Sequence, residues 1–89
     1  MTDQLSEARA AIDAIDDALI VSVNRRLELV RQLHDHKQTT GLPLRDPARE
    51  AAMVARLQSR NEGPLSDDGV ADLVGFVLAL TRRELYGHE

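Results

Sequence analysis

The sequence predicts an all-α protein: a three-helix chain with one long N-terminal helix that pairs with a second copy of itself in an interwound homodimeric helical bundle. Three observations carry this expectation. Leu5, Ile12, Leu19 and Leu33 recur at multiples of seven residues on one stripe, joined by Ala8, Ile15 and Leu29, with Glu, Asp, Gln and Arg filling other positions. Glycine and proline occur together at two places, around Gly41 to Pro47 and at Gly63-Pro64, which divides the chain into three helical stretches. The composition is 43% hydrophobic and 29% charged, with Phe76 and Tyr86 the only aromatics, as in a helical bundle and unlike a sandwich or a disordered tail.

Dimerisation follows from length. A helix from Leu5 to Lys37 spans about 50 Å, whereas a compact chain of this size has a radius of gyration of about 12 Å. The 89 residues form one domain with only a modest core of its own, so a second chain is needed to cover the stripe.

The first helix starts at Thr2 or Asp3, either of which can cap it, and Asp3 with Glu7 complements the positive end of the helix dipole. It ends around Gln38 to Thr40, before Gly41. The segment Gly41-Leu42-Pro43-Leu44-Arg45 reads as a loop. Asp46-Pro47 then opens a second helix, with aspartate as cap and proline in the first helical position, running to about Arg60. Its apolar stripe is Met53, Val54 and Leu57, with Glu50 one turn before Val54 on the same side. Asn61-Glu62-Gly63-Pro64 terminates it. Ser66 caps the third helix, whose apolar face is Val70, Leu73, Val74, Val77, Leu78, Leu80 and Leu85; Thr81 lies on the Val70-Val74-Val77 stripe, Gly75 would admit a close helix contact, and the tail from Gly87 frays.

Several function classes are disfavoured. A net charge of −4 and two aromatics give neither the basic face nor the stacking platform that nucleic acid requires. The sequence has no apolar run long enough to span a membrane and no export signal, so a cytoplasmic protein is expected. Without cysteine it has no disulfide, thiolate nucleophile or zinc-thiolate site. His34 and His36 point about 200° apart on a helix and do not share a metal, and Asp13, Asp16 and Asp17 read as a solvated face in preference to a divalent-cation site, so no metal is expected.

Chemistry enters through the cation that interrupts the seam. Arg26 stands between Leu19 and Leu33 where another leucine is expected, and an unpartnered guanidinium in an apolar seam is expensive, which points to an anionic partner. The alternative is that it snorkels at the edge while Val23 and Val30 continue the stripe. Lys37 follows eleven residues later, roughly 16 Å along the axis and about 20° around it, so both cations project from one face. With Arg49, Glu50 and Thr81 they form a polar set suited to a small anion inside a bundle. Arg9 lies about 25 Å from Arg26 along the same helix and joins that set only from an antiparallel partner chain; otherwise it is a surface residue.

The pattern Arg9-x-x-Ile12-x-x-Ile15-Asp16, Arg25-Arg26, Lys37, Gly41-x-Pro43 and Arg45-Asp46-Pro47-x-Arg49-Glu50 closely resembles the all-helical class of chorismate mutases, in order and over nearly the whole chain. The resemblance implies a homodimer with two identical sites that convert chorismate, a dianionic small molecule, to prephenate by a pericyclic (Claisen-type) rearrangement in aromatic amino acid biosynthesis. It implies no cofactor. By similarity, Arg26 and Arg9 from the partner chain bind the two substrate carboxylates, Lys37 donates to the ether oxygen, Asp46 and Glu50 face the ring hydroxyl, Arg49 orients the acidic groups and Thr81 assists a carboxylate. Aligned on Thr81, Leu85 replaces the glutamine with which many members supply a second donor to the ether oxygen. The ending Leu85-Tyr86-Gly87-His88 is similar to short actinobacterial members, some of which are activated in complex with the first enzyme of the shikimate pathway, so the resemblance also admits such a partner.

Two other readings stand beside this one. The same cationic pocket suits an isochorismate-pyruvate lyase or an aminodeoxychorismate mutase, and loop length with the Asp46-Glu50 pair favours a hydroxyl-bearing ring. A non-catalytic helical dimerisation or regulatory module is the other: Leu85 speaks for it, and Arg26, Lys37, Arg49 and Glu50 speak against it, since a purely structural seam favours leucine at such positions.

Overall fold

The computed structural model describes residues 3–37 and 46–87, with the side chain of Lys37 outside the description. The described residues form three helices, α1 (Gln4–Lys37), α2 (Pro47–Arg60) and α3 (Asp67–Tyr86). They fall into two compact units, one carrying α1 and the other α2 and α3. The predicted loop 41–45 and the predicted end of the first helix at 38–40 lie outside the described residues.

Helix α1 is uninterrupted for 34 residues, about 51 Å at 1.5 Å per residue. Asp3 starts it: its Oδ1 accepts from the Leu5 amide at 3.2 Å and its carbonyl accepts from the Glu7 amide at 2.9 Å, satisfying donors that have no partner within the first turn. The apolar stripe is where periodicity put it, and it stands open. Leu5, Ile12, Ile15 and Leu19 are 55–67% exposed, and Leu29 and Leu33 are 45% and 43% exposed. Asp13, Asp16 and Asp17 are exposed, as a solvated acidic face should be.

Helices α2 and α3 pack on each other. The start of α2 meets the end of α3 through Glu50 and Arg82, and the end of α2 meets the start of α3 through Gln58, whose Nε2 donates to the Asp67 carbonyl at 3.0 Å. The two therefore run antiparallel. Val70 and Val74 are the buried apolar residues of α3, at 5% and 3% exposed, and Met53, Val54 and Leu57 of α2 are half-buried on the predicted stripe. Leu73 departs from expectation: it is 52% exposed and shares an open face with Phe76, because three residues of helix separate them while the packed side follows Val70, Val74 and Thr81. Among the described residues Gly75 is exposed, and a Cβ there would meet nothing within 4 Å.

The connection between α2 and α3 is built by one side chain. Asn61 closes α2 with its amide on the Leu57 and Gln58 carbonyls, while its Oδ1 accepts from the Gly63 amide at 3.0 Å and its Nδ2 donates to the Leu65 carbonyl at 2.6 Å. Gly63 takes φ of 78°, which a side chain would disfavour. Ser66 then caps α3, its Oγ accepting from the Gly69 amide at 3.0 Å, and Gly87, at φ 71°, ends the helix in the left-handed conformation with its amide on the Arg82 and Arg83 carbonyls. Among the described residues no helix is long and apolar enough to cross a membrane.

Replacing Asn61 by alanine removes both side-chain bonds of the connection and is expected to cost about 1 to 2 kcal/mol. Urea unfolding at fixed protein concentration should show a lower midpoint with an unchanged slope. An unchanged midpoint would mean that Gly63 and Ser66 hold the connection without Asn61.

Candidate functional site

The candidate residues sit on the two units as separate sets. On α1, Arg9 is exposed, Arg26 is half-buried and Lys37 is the last helical residue. Because α1 is continuous, Arg26 and Lys37 are separated by about 16 Å along one axis, and Arg9 lies about 25 Å before Arg26, beyond any single small ligand.

Around Arg26 the surface of α1 forms a shallow depression, lined by Val21, Ser22, Arg25, Arg26, Leu29, Val30 and Leu33. Its walls are mainly aliphatic with two guanidinium groups, the combination that fits an anion carrying an apolar body. Ser22 falls seven residues after Ile15 and seven before Leu29, so the stripe carries two polar breaks one turn apart, Ser22 and Arg26. The sequence reading singled out only the second.

The other set gathers in α2 and α3. Asp46 caps α2, its Oδ1 accepting from the Arg49 amide at 3.1 Å and its carbonyl from the Glu50 amide at 2.9 Å. Asp46, Arg49 and Glu50 thus occupy one turn because the Asp-Pro start fixes where the helix begins; Asp46 and Arg49 are exposed and Glu50 is half-buried. On α3, Thr81 is 7% exposed and its hydroxyl donates to the Val77 carbonyl at 2.7 Å. This bond to the preceding turn leaves the oxygen able to accept, whereas donation to a ligand would require the hydroxyl to turn away from Val77. Leu85 lies one turn beyond Thr81, half-buried and aliphatic.

Sequence reasoning does not place Arg82 among the site residues. From the sequence alone the pair Arg82-Arg83 is a solvated end of the third helix by default, with bracketing of a ligand or partner protein as the alternative; Arg83 is exposed and pairs with its neighbour Glu84 at 3.4 Å. Arg82 instead turns toward α2, with Nη1 3.7 Å from Glu50 Oε2 and only 14% of its side chain exposed. A signal was available, since Arg82 follows Val74 by eight residues and Leu78 by four and so lies on the packed side of the helix.

The comparisons with known proteins agree with the resemblance seen in the residues. A family described as chorismate mutase type II matches residues 8–85. The chain is 38% identical over 90 residues to a T-protein of Enterobacter agglomerans, covering 100% of this chain and 23% of that protein. It is 38% identical over 71 residues to a bifunctional chorismate mutase/prephenate dehydratase of Neisseria gonorrhoeae, covering 80% of this chain and 19% of that one. A chorismate mutase of Methanocaldococcus jannaschii is 31% identical over 58 residues, 65% of this chain and 59% of the relative. The chain therefore spans less than a quarter of the first two and somewhat more than half of the third. No solved structure matches it.

The cap and the charge at position 46 are separable. Asp46→Asn keeps an acceptor of equal capping strength and should leave the unfolding midpoint nearly unchanged, whereas Asp46→Ala should destabilise the fold by about 1 kcal/mol. Equal losses in the two variants would show that helix α2 starts on the carboxylate charge and not on the Asp46–Arg49 hydrogen bond.

Proposed function

The chain belongs to the chorismate mutase type II family, and from that premise we propose that it converts chorismate to prephenate. The observation that carries this reading is the family match over residues 8–85, supported by Arg26 at the centre of an open apolar stripe. The reaction is a concerted rearrangement in which the ether carbon–oxygen bond breaks as a new carbon–carbon bond forms, with no net proton transfer and no covalent attachment to the protein. Such a reaction needs a pocket that holds the dianion in its reactive conformer and stabilises the negative charge gathering on the ether oxygen.

The proposed assembly is a homodimer in which each α1 stripe is covered by the other chain, so that the 89 residues act as one domain only when paired. In that dimer Arg26 and Arg9 of the partner subunit take the two carboxylates, and Lys37 donates to the ether oxygen. Asp46 and Glu50 face the ring hydroxyl, Arg49 orients the acidic groups, and Thr81 turns its hydroxyl from Val77 toward a carboxylate. The dimer is supported by the exposure of Leu5, Ile12 and Leu19 at 55–56% on a helix of 34 residues, too long for three-helix cover by its own chain. We place the reaction in the cytoplasm.

Leu85 favours a second reading of regulation within the same activity. Its aliphatic side chain offers no donor where many members carry glutamine, so the isolated chain has one fewer group on the ether oxygen, and full activity would then depend on a complex with the first enzyme of the shikimate pathway. Measuring chorismate turnover at several protein concentrations, with and without that enzyme, tests both the activity and its dependence. Conversion of isochorismate or aminodeoxychorismate in place of chorismate would replace the proposed substrate, and no turnover of any of them would favour the non-catalytic module.

Lys37→Ala is expected to lower kcat by about 10² to 10³, because it removes a donor aimed at charge that develops only in the transition state. An unchanged kcat with a raised KM would assign Lys37 to binding alone.

A shared site also makes a specific demand on mixed dimers. Arg9→Ala and Glu50→Ala should each be nearly inactive alone, yet a dimer of one with the other contains one pocket with every group intact. Refolding them together in equal amounts makes about half the dimers mixed, so roughly a quarter of wild-type activity should return. Heterodimers verified by mass spectrometry that stay inactive would remove Arg9 from the site across the interface.

A further inference from the structure

Two adjacent arginines close α3 in different ways. Arg83 forms an ordinary surface pair with Glu84, each side chain about half exposed at 53% and 50%. Arg82 is half-buried against α2, its Nη1 3.7 Å from Glu50 Oε2, with the two side chains 14% and 27% exposed, and its Nε is buried without a hydrogen-bond partner among the described residues. Burying a guanidinium with an unsatisfied nitrogen is costly, and an apolar side chain at position 82 would pack against α2 without that cost. Stability alone gives no reason for an arginine there.

A reason follows from the charge of the ligand. A carboxylate lining a pocket for a dianion repels it unless a fixed cation offsets the charge. At 3.7 Å the contact is an ion pair and too long for a hydrogen bond, so it holds the carboxylate electrostatically and leaves the Glu50 oxygens able to accept from a ligand hydroxyl. We propose that Arg82 is a positioning residue for this site: from α3 it holds the Glu50 carboxylate of α2 in place and offsets its charge, so that a hydroxyl-bearing dianion can bind beside it. The inference rests on the reading of Glu50 as a substrate-facing group of a chorismate mutase site.

The test is a double-mutant cycle in the intact chain, read by steady-state kinetics with chorismate and by calorimetric binding of prephenate, which requires no turnover. Arg82→Gln should lower kcat/KM and weaken prephenate binding by about tenfold or more, and Arg82→Lys, which keeps the charge, should return both to within about threefold of wild type. In a Glu50→Gln background, removing Arg82 should change either quantity by less than about twofold, since no carboxylate is left to hold. Circular dichroism monitors the fold of every variant, and the double variant leaves no unpaired charge in the helix pair. Arg82→Gln with wild-type kinetics, or equal losses in both backgrounds, would overturn the inference and make the pair purely structural. Failure of the underlying reading is distinct and appears with Arg82 intact: wild-type protein without chorismate turnover, or Glu50→Gln with unchanged kinetics.

Discussion

The open apolar stripe of α1 is the constraint on which the rest depends. Leu5, Ile12, Ile15 and Leu19 all face water on a helix about 51 Å long. Fully burying a side chain of this kind contributes on the order of 1.5 to 3 kcal/mol, so a covered stripe would outweigh most other terms in so small a protein. An exposed apolar face of this extent marks an interaction surface. In the proposed dimer the cover is supplied by the same helix of a second chain, which makes assembly and stability one process.

The polar interruptions acquire meaning against that background. Ser22 and Arg26 break the stripe within one turn of each other, and the shallow depression of α1 forms around them. A cation embedded in an apolar surface costs desolvation, and an anionic ligand with an apolar body offsets that cost in a way that water does not. On the other unit the pattern is complementary: a carboxylate and an arginine tie α2 to α3 beside a capped first turn. The division of labour agrees with a rearrangement that needs charges held in place and no nucleophile.

How much of this was legible in the sequence depended on the range of the interaction. The caps Asp46 and Ser66 and the end of α2 at Arg60 were readable because each rests on contacts within a few residues. The stripe of α1 was readable because its period needs no knowledge of what covers it. Arg82 was not, since periodicity places a residue on a helix face but does not say that a carboxylate of another helix waits there. Leu73 failed for the related reason that it is apolar on a helix with only one packed side, and pattern alone assigned it to that side. The candidate site was legible mainly through resemblance. Its residues are scattered over three helices, and local spacing alone gives no reason to join Arg9 and Arg26, about 25 Å apart on one rod, in the shared site proposed above.

Helix α2 has 14 residues and none of them is fully buried. Helices of that length are marginal on their own, so its order is borrowed from contact with α3. Three candidate ligand-facing groups, Asp46, Arg49 and Glu50, sit on its opening turn, the part of a helix most prone to fray. In the proposed site, warming would open this turn before the bulk of the helices melts, and adaptation of such a protein to a hotter habitat would act first on the Asp-Pro start of α2 and on the side chains that pin it to α3.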